Sequence, residues 1–264
     1  MKESNNLLLT VLIGASFLFS AATLPETPQP TVPSITQKAE GLEKDGKYLE
    51  AQKVYEEILQ DPQLQETEAS RIRSHYEDLN MKILLSPVES PESAMHTVSA
   101  GENLYLIAKR YKTTVALIKR SNGLKDNKIL PGMKLKVITG VFSIRIDKPN
   151  NLLALLLNDK VLKHFQVATG APASITPAGE FKVINKLENP TWFKTGAVIR
   201  PGSPKNSLGT RWLGIDSPGY GIHGTIERES IGKHVTSGCI RMGNEEVEIL
   251  FDIIPTGTKV TITD

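Results

Sequence analysis

Two short stretches near the C-terminal end decide how the chain is interpreted: His223-Gly224-Thr225 and Ser237-Gly238-Cys239-Ile240-Arg241-Met242, with eleven residues between them. The second stretch holds the only cysteine of the 264 residues. A thiol is a useful nucleophile only as the thiolate, and an ordinary cysteine with a pKa of about 8.5 is mostly protonated at neutral pH. A base must therefore lie near Cys239. His223, sixteen residues upstream, is the predicted base.

The residues next to Cys239 suggest the rest of a catalytic site. Gly238 has no Cβ, so the N–H groups of Gly238 and Cys239 are predicted to form an oxyanion hole. A protonated His223 would stabilise the thiolate as an ion pair. Arg241 is expected either to hold a substrate carboxylate or to pair with an acidic neighbour such as Glu245. The competing interpretation is that Cys239 is a small buried core residue without a chemical role.

The two stretches resemble the L,D-transpeptidase (YkuD-like) catalytic domain of bacterial cell walls. Its pattern is His-Gly-Thr, then Ser/Thr-x-Gly-Cys-Ile-Arg-Met about fifteen residues later. Thr236 occupies the Ser/Thr position, and Ser237 stands where many members carry a second histidine. Two upstream segments, Thr176 to Phe181 and Asn206 to Gly214, are also similar to family motifs. The resemblance covers about Val141 to Thr263.

The resemblance implies chemistry on peptidoglycan stem peptides. Cys239 would attack the carbonyl of the third residue and expel the terminal D-alanine, and the thioester would pass to an amine of another stem as a 3→3 cross-link. His223 would act first as base and then as acid. Either a backbone carbonyl near Gly224 or the Thr236 hydroxyl would orient the imidazole. Three further residues are predicted to contact substrate: Gly224, Ser237 and Trp192.

Two other functions stay open at this point. The same acyl-enzyme would make a carboxypeptidase or endopeptidase if water took the acyl group. Alternatively, the protein is a wall-binding scaffold without catalytic turnover. The serine at position 237, where many family members carry a histidine, is compatible with that alternative. A papain-like hydrolase does not fit, because its cysteine precedes its histidine by more than a hundred residues, whereas here the histidine comes first.

Composition narrows the classes of partner. The chain carries 31 basic and 29 acidic residues, a net charge of +2, which does not suggest a nucleic-acid-binding protein. Its five histidines are scattered without the spacing of metal ligands, so neither a metal nor another cofactor is predicted.

Residues 1–22 have the pattern of an export signal. Lys2 precedes an apolar run from Leu7 to Phe19, and the small residues Ser20 to Ala22 form a plausible cleavage site. The sequence therefore predicts an exported protein of the periplasm or cell envelope. An uncleaved N-terminus would instead anchor it to the cytoplasmic membrane. Residues 23–35 carry four prolines and are assigned to a linker.

Residues 36–85 have a helical pattern. Gly46, Tyr48, Ala51 and Tyr55 have the spacing of one tetratricopeptide-like hairpin. A single unit of that kind cannot bury its apolar face, so the helix from about Glu66 to Ile83 is expected to pack on it. This segment is either a docking site for a protein partner or a spacer or dimerisation element.

After a linker at residues 86–94, residues 95–138 predict a small βααβ unit. The unit resembles a LysM domain, from its first strand through Asn122-Gly123-Leu124 to Ile129-Leu130-Pro131-Gly132. The resemblance implies binding of N-acetylglucosamine-containing glycan between two loops, with the following candidate contacts: Gly101, Glu102, Asn103, Leu104, Ile129, Leu130 and Pro131. Leu104, Ile129 and Leu130 also fit a purely structural role in the small core.

Residues 140–264 alternate short apolar strands with turn signals, and a helical pattern occurs only near Glu245 to Ile253. This indicates a mostly β, sandwich or barrel-like catalytic domain within a multidomain chain. His164 lies on a predicted strand and is assigned a structural role. The segment from Thr191 to Ser207 is predicted to be a long loop over the site.

Overall fold

The computed structural model describes residues 32–194 and 196–264. In chain order these residues form three helices, a βααβ unit and a C-terminal β region. No helix in the described ranges is long and apolar enough to cross a membrane. The predicted export segment, residues 1–22, and the first nine residues of the predicted linker lie outside the described residues.

The N-terminal helices pack through one apolar face each. Their bounds are Val32–Lys44 (α1), Tyr48–Leu59 (α2) and Glu66–Leu84 (α3). Tyr55 is fully buried, and its hydroxyl donates a hydrogen bond of 2.9 Å to Glu43 on α1. The predicted linker boundary at residue 35 is wrong, because α1 already includes Val32. Proline is tolerated in a first helical turn, where its missing N–H has no intrahelical acceptor, so Pro33 does not prevent this start.

The next unit has the predicted βααβ order, which is confirmed. Its elements are Ser93–Thr97 (β1), Leu104–Tyr111 (α4), Val115–Ser121 (α5) and Lys134–Ile138 (β2). Asn103 and Thr114 cap the two helices, each accepting a backbone N–H at 2.9 Å. The unit begins earlier than expected, because Ser93 and Ala94, assigned to the linker, already pair with β2.

The C-terminal region is mostly β, as predicted, and its core is one eight-stranded mixed sheet. The strands are Phe142–Asp147 (β3), Leu152–Leu157 (β4), Lys160–Gln166 (β5), Thr169–Gly170 (β6), Gly179–Glu188 (β7), Trp192–Lys194 (β8), Ala197–Ile199 (β9), Arg211–Ile215 (β10), Gly221–His223 (β11), His234–Thr236 (β12), Ile240–Arg241 (β13) and Lys259–Thr263 (β14). The order in the large sheet is β13-β11-β10-β7-β14-β3-β4-β5. Helix α6, Asn244–Ile253, buries Val247, Leu250 and Ile253 in the core of this sheet.

Two smaller pairs complete the region. Strand β6 pairs in parallel with β12, which directly precedes the stretch from Ser237 to Met242. Strands β8 and β9 pair as a short antiparallel hairpin. The predicted unstructured loop from Thr191 to Ser207 is therefore partly wrong, since its first half forms this hairpin.

Helix α3 packs against β5 of the large sheet. Glu77 on α3 is buried, and its carboxylate accepts the His164 backbone N–H at 3.1 Å and lies 2.5 Å from the His164 Nδ1 on β5. The Asn80 amide donates to the Leu162 carbonyl at 3.2 Å. The sequence left this segment as a partner-docking or spacer element. The structure shows that one face of α3 is already occupied by the sheet.

The βααβ unit is fastened to both of its neighbours. Lys136 on β2 is fully buried, and its Nζ donates to the carbonyls of Ile83 at 2.5 Å and Ser86 at 2.9 Å, at the C-terminal end of α3. Burial lowers the pKa of Lys136 to about 8. On the other side, Arg120 forms an ion pair of 2.8 Å with Asp252 on α6. The βααβ unit is thus held to α3 by a buried contact and to α6 by a partly exposed ion pair.

We expect Lys136→Ala to lower the free energy of unfolding by roughly 2–4 kcal/mol, because two carbonyls at a helix end lose their donor. Lys134→Ala is the control, since Lys134 lies on the same strand with an exposed side chain, and surface changes usually cost less than about 0.5 kcal/mol. Urea denaturation measures both. Equal losses in the two variants would contradict the assigned role of Lys136.

Candidate active site

The structure brings the two motifs of the sequence together on neighbouring strands. Strands β11 and β13 are parallel, with Ile222 opposite Ile240 and His223 opposite Arg241. Cys239 directly precedes β13 and shares the face of Arg241, because side chains alternate along an extended chain. Strands about 4.8 Å apart, rising about 3.3 Å per residue, put the Cα atoms of His223 and Cys239 roughly 8 Å apart. This register is expected to put the imidazole and the thiol on the same face of the sheet edge.

His223 is buried and held in one orientation. Its Nδ1 lies 2.6 Å from the Gly224 carbonyl oxygen, and its ring stacks on Trp212 with centroids 5.9 Å apart. A carbonyl only accepts hydrogen bonds, so Nδ1 carries the proton and Nε2 is the basic nitrogen. Of the two predicted orienting groups, the Gly224 carbonyl is the one that contacts the imidazole.

Burial, and to a smaller extent the Arg241 charge, lower the pKa of His223 to about 4, against the opposing effects of the Gly224 carbonyl and Glu227. Burial also raises the pKa of the half-buried Cys239 thiol, although the Gly221 N–H and the Arg241 charge act in the other direction. The resting pair at neutral pH is therefore an uncharged thiol and an uncharged imidazole. Burial therefore disfavours both charges of the expected thiolate–imidazolium ion pair in the free protein.

Thr236 organises the loop that carries the nucleophile. Its hydroxyl donates to the Cys239 carbonyl at 2.6 Å and accepts the Gly238 N–H at 3.1 Å. The prediction that Thr236 orients the imidazole is therefore replaced by a role in the loop itself. The prediction that the Gly238 N–H faces an oxyanion is also wrong, since that N–H is already used by Thr236.

Arg241 has an acidic partner, but not the one named from the sequence. Its guanidinium forms a 2.6 Å contact with Glu227 and is only 11% exposed, whereas Glu245 pairs with Arg228 at 3.2 Å. Because Arg241 is nearly buried and already paired with Glu227, it is poorly placed to bind a substrate carboxylate. Arg241 acts on the site electrostatically, because its charge lowers the pKa of both His223 and Cys239.

Asn244, the first residue of α6, is a site residue that sequence reasoning missed. Its Oδ1 accepts the backbone N–H of Thr210 at 3.2 Å and that of Thr225 at 3.1 Å, and so joins two motifs far apart in sequence. A Cβ on Gly209 or on Gly224 would lie 2.2 Å from this oxygen. Gly224 was predicted to contact substrate. It is buried instead and is glycine because the Asn244 side chain packs against its backbone.

The region that contains these residues is similar in sequence to known proteins. Residues 142–262 match the L,D-transpeptidase catalytic domain. YqjB of Bacillus subtilis, which is named as an L,D-transpeptidase, is 51% identical over 45% of this chain and 69% of its own length. YkuD of Bacillus licheniformis, which carries the same activity in its name, is 35% identical over 64% of this chain and 98% of its own length. The chain belongs to the L,D-transpeptidase family.

Solved structures of L,D-transpeptidases are also similar to part of this chain. The catalytic domain of the Enterococcus faecium L,D-transpeptidase is 30% identical, with 46% of this chain and 96% of that one aligned at a TM-score of 0.40. An L,D-transpeptidase from Mycobacterium smegmatis is 18% identical, with 52% and 65% aligned at a TM-score of 0.42. Residues 96–137 separately match the LysM domain, so both predicted resemblances are confirmed.

Three of the predicted glycan contacts in the LysM domain have structural roles. Glu102 lies 2.8 Å from each of three partners, the His96 ring, the Ser99 N–H and the Arg110 guanidinium. Asn103 caps α4, and Leu104 is 2% exposed in the core. These side chains shape the first loop, and Asn103 is also exposed, so the glycan contacts there stay predictions.

The remaining predicted glycan contacts lie at the surface or its edge. Gly101, Leu130 and Pro131 are exposed, whereas Ile129 packs partly against the LysM core. Val98 exchanges backbone hydrogen bonds of 2.8 Å with Gly132 and 2.9 Å with Met133, which brings the two loops side by side.

Two predicted substrate contacts of the catalytic domain are accessible. Ser237 is exposed next to the nucleophile, and Trp192 lies half-buried on the β8–β9 hairpin. Their roles stay predictions. Among residues 32–194 and 196–264, no group of three or more histidine, cysteine, aspartate or glutamate side chains has the arrangement of a metal site.

We expect Asn244→Ala to lower the free energy of unfolding by about 2–4 kcal/mol, because two buried backbone N–H groups lose their acceptor. It should also lower the rate of Cys239 acylation, since Gly224 and with it His223 lose their support. The control is Asn127→Ala, at an exposed position of the LysM domain. Denaturant titration and acylation kinetics measure the two effects. Unchanged values for both would remove Asn244 from the site.

The low pKa of His223 predicts the acid limb of catalysis. We expect kcat/KM to stay level from pH 7 to pH 5 and to fall as the pH drops through about 4, where the base becomes protonated. Arg241→Gln should move this limb to higher pH because a repelling charge is lost, while Arg228→Gln, at an exposed site, should not. An acid limb near 6.5 in the wild type would show that His223 is not desolvated as described.

Proposed function

We propose that the protein is a peptidoglycan L,D-transpeptidase that forms 3→3 cross-links between stem peptides through a thioester on Cys239. The observation that carries the proposal is the parallel pairing of β11, which ends at His223, with β13, which Cys239 directly precedes, and Nε2 of the imidazole is the basic nitrogen. This pair lies inside the region of the chain that belongs to the L,D-transpeptidase family.

The geometry supports a sequence of balanced proton transfers. His223 Nε2 takes the thiol proton as Sγ of Cys239 attacks the carbonyl carbon of the donor stem's third residue. Collapse of the tetrahedral intermediate breaks the peptide bond, and the imidazolium returns the proton to the leaving D-alanine amine. The side-chain amine of a second stem then attacks the thioester, His223 takes a proton from that amine, and the proton returns to the Cys239 sulfur as the new amide forms.

An uncharged resting pair suits this cycle. A stored thiolate would react with any electrophile in the cell envelope, whereas a thiol that loses its proton during attack reacts mainly with a carbonyl held beside His223. The Arg241 charge lowers the thiol pKa without protonating the base, because it lowers the His223 pKa as well. The site is therefore selective for bound acyl donors.

The LysM domain supports a role on the wall. Binding of N-acetylglucosamine-containing glycan would raise the local concentration of stems attached to the same strand, an effective-concentration gain without new chemistry. Because Lys136 and Arg120 fasten this domain to its neighbours, the distance from glycan to Cys239 would be defined. Such a protein acts outside the cytoplasm, in the cell envelope, in agreement with the export signal predicted for residues 1–22.

The test is intact-protein mass spectrometry after incubation with a disaccharide-tetrapeptide, with the products analysed from the same reaction. We expect a thioester adduct and cross-linked dimer with the wild type, no adduct with Cys239→Ala, and acylation about 10²–10⁴-fold slower with His223→Ala. His75→Ala, on α3, is the matched histidine control.

Two other results of this experiment would each favour one of the alternative functions. Release of a tripeptide product without dimer would favour the carboxypeptidase or endopeptidase. A folded protein that binds glycan yet forms neither adduct nor product would favour the scaffold and refute the proposed function.

A further inference from the structure

The peptide unit between Gly238 and Cys239 is held by a residue to which no role has been assigned above. Thr176, in the loop before β7, is 1% exposed. Its hydroxyl donates to the Gly238 carbonyl at 2.8 Å and accepts the Gly170 N–H at 2.8 Å. Thr176 and Thr236 together therefore bind both backbone polar groups of Gly238.

The Thr176 contact fixes the direction of a second group. The carbonyl of Gly238 and the N–H of Cys239 belong to one peptide plane, and the described chain has no cis peptide bonds. In a trans peptide the C=O and the N–H point in opposite directions. A hydroxyl that holds the Gly238 oxygen on one side consequently aims the Cys239 N–H to the other side.

The alternative donor in this loop is not available. Thr236 already uses the Gly238 N–H, as described above. Gly238 has a φ of +109°, a value that side chains rarely adopt, and a Cβ there would lie 2.6 Å from the Tyr220 ring. The loop is thus bent at Gly238 and leaves Cys239 to supply the amide next to the attacked carbonyl.

The loop that carries Thr176 is itself well supported. A Cβ on Gly170 would lie 2.1 Å from the Ser174 carbonyl oxygen, so the turn through Ser174 packs directly on β6. The Ala171 N–H donates to the Thr236 carbonyl at 2.9 Å. The loop that carries Thr176 is therefore packed on β6 and hydrogen-bonded to β12, which limits the freedom of Thr176 to turn away from Gly238.

We propose that Thr176 is a positioning residue that aims the Cys239 N–H at the oxyanion formed during acylation. This inference rests on the proposed function, because it requires that Cys239 attacks a carbonyl. Thr176 does not touch the reacting atoms. It acts through the orientation of one peptide plane.

The proposal separates two reactions of the same sulfur. Acylation by a disaccharide-tetrapeptide passes through an oxyanion, whereas alkylation by iodoacetamide displaces iodide at a saturated carbon and forms no oxyanion. Thr176→Val keeps the shape of the side chain and removes the hydroxyl. We expect it to slow acylation by about 10- to 100-fold, part of the effect of losing an oxyanion donor, and to change the alkylation rate less than about twofold.

Two further variants make the test specific. Thr176→Ser retains the hydroxyl and should restore acylation to within about threefold of the wild type, since the carbonyl of Gly238 is held again. Thr258→Val is the matched control, because Thr258 is also buried and its hydroxyl donates only to the nearby Pro255 carbonyl at 2.8 Å. Circular dichroism verifies that each variant is folded, and Thr176→Ala replaces the valine variant if that one is not.

The possible results are distinct. Unchanged acylation in Thr176→Val, equal losses of acylation and alkylation, or a serine variant as slow as the valine variant would each overturn the inference while leaving the proposed function intact. A wild type that is alkylated by iodoacetamide but never acylated by the tetrapeptide would refute the proposed function itself.

Discussion

The parallel pairing of β11 with β13 is the constraint on which the rest of the site depends. It joins only two residue pairs, yet its register is what puts His223 and Cys239, the proposed base and nucleophile, on the same face. A ladder this short is stabilised from outside. On the far side of β13, Arg241 exchanges backbone hydrogen bonds of 2.8 and 2.9 Å with Ala168, and on the far side of β11, Trp212 pairs with His223. The threonine hydroxyls and Asn244 then fix the loops that enter and leave these strands.

Burial of this strand pair also determines the electrostatics of catalysis. Burial favours the neutral forms of the imidazole and the thiol. The neighbouring Arg241 guanidinium lowers both pKa values, which makes the thiol a better proton donor and the imidazole a weaker base. Glu227 neutralises part of the Arg241 charge and is itself 45% exposed, so the ion pair connects the buried site with solvent. The same low polarity that suppresses the resting thiolate strengthens every hydrogen bond to the oxyanion.

The helical segment and the LysM domain are both held against the catalytic region by specific contacts. Helix α3 lies on β5, the edge strand of the large sheet farthest from β13 in strand order, and the LysM domain contacts both α3 and α6. Because α6 begins at Asn244, the helix that supports the catalytic motifs also bears the LysM domain at Asp252. A glycan strand bound by the LysM domain and a stem peptide bound at Cys239 would consequently be held in a defined mutual orientation.

The sequence by itself determined the mostly β catalytic region, the βααβ unit, the three-helix segment, and Cys239 with His223, because periodicity, caps and motif spacing are properties of neighbouring residues. It did not determine the partner of Arg241, the packing of α3 on the sheet, or the roles of Asn244 and Thr176. Those contacts join residues far apart along the chain, 62 positions in the case of Thr176 and Gly238. Only the path of the folded backbone decides which distant groups meet. Likewise, only burial decides that the catalytic pair rests uncharged, since desolvation is a property of the assembled core and not of any one residue.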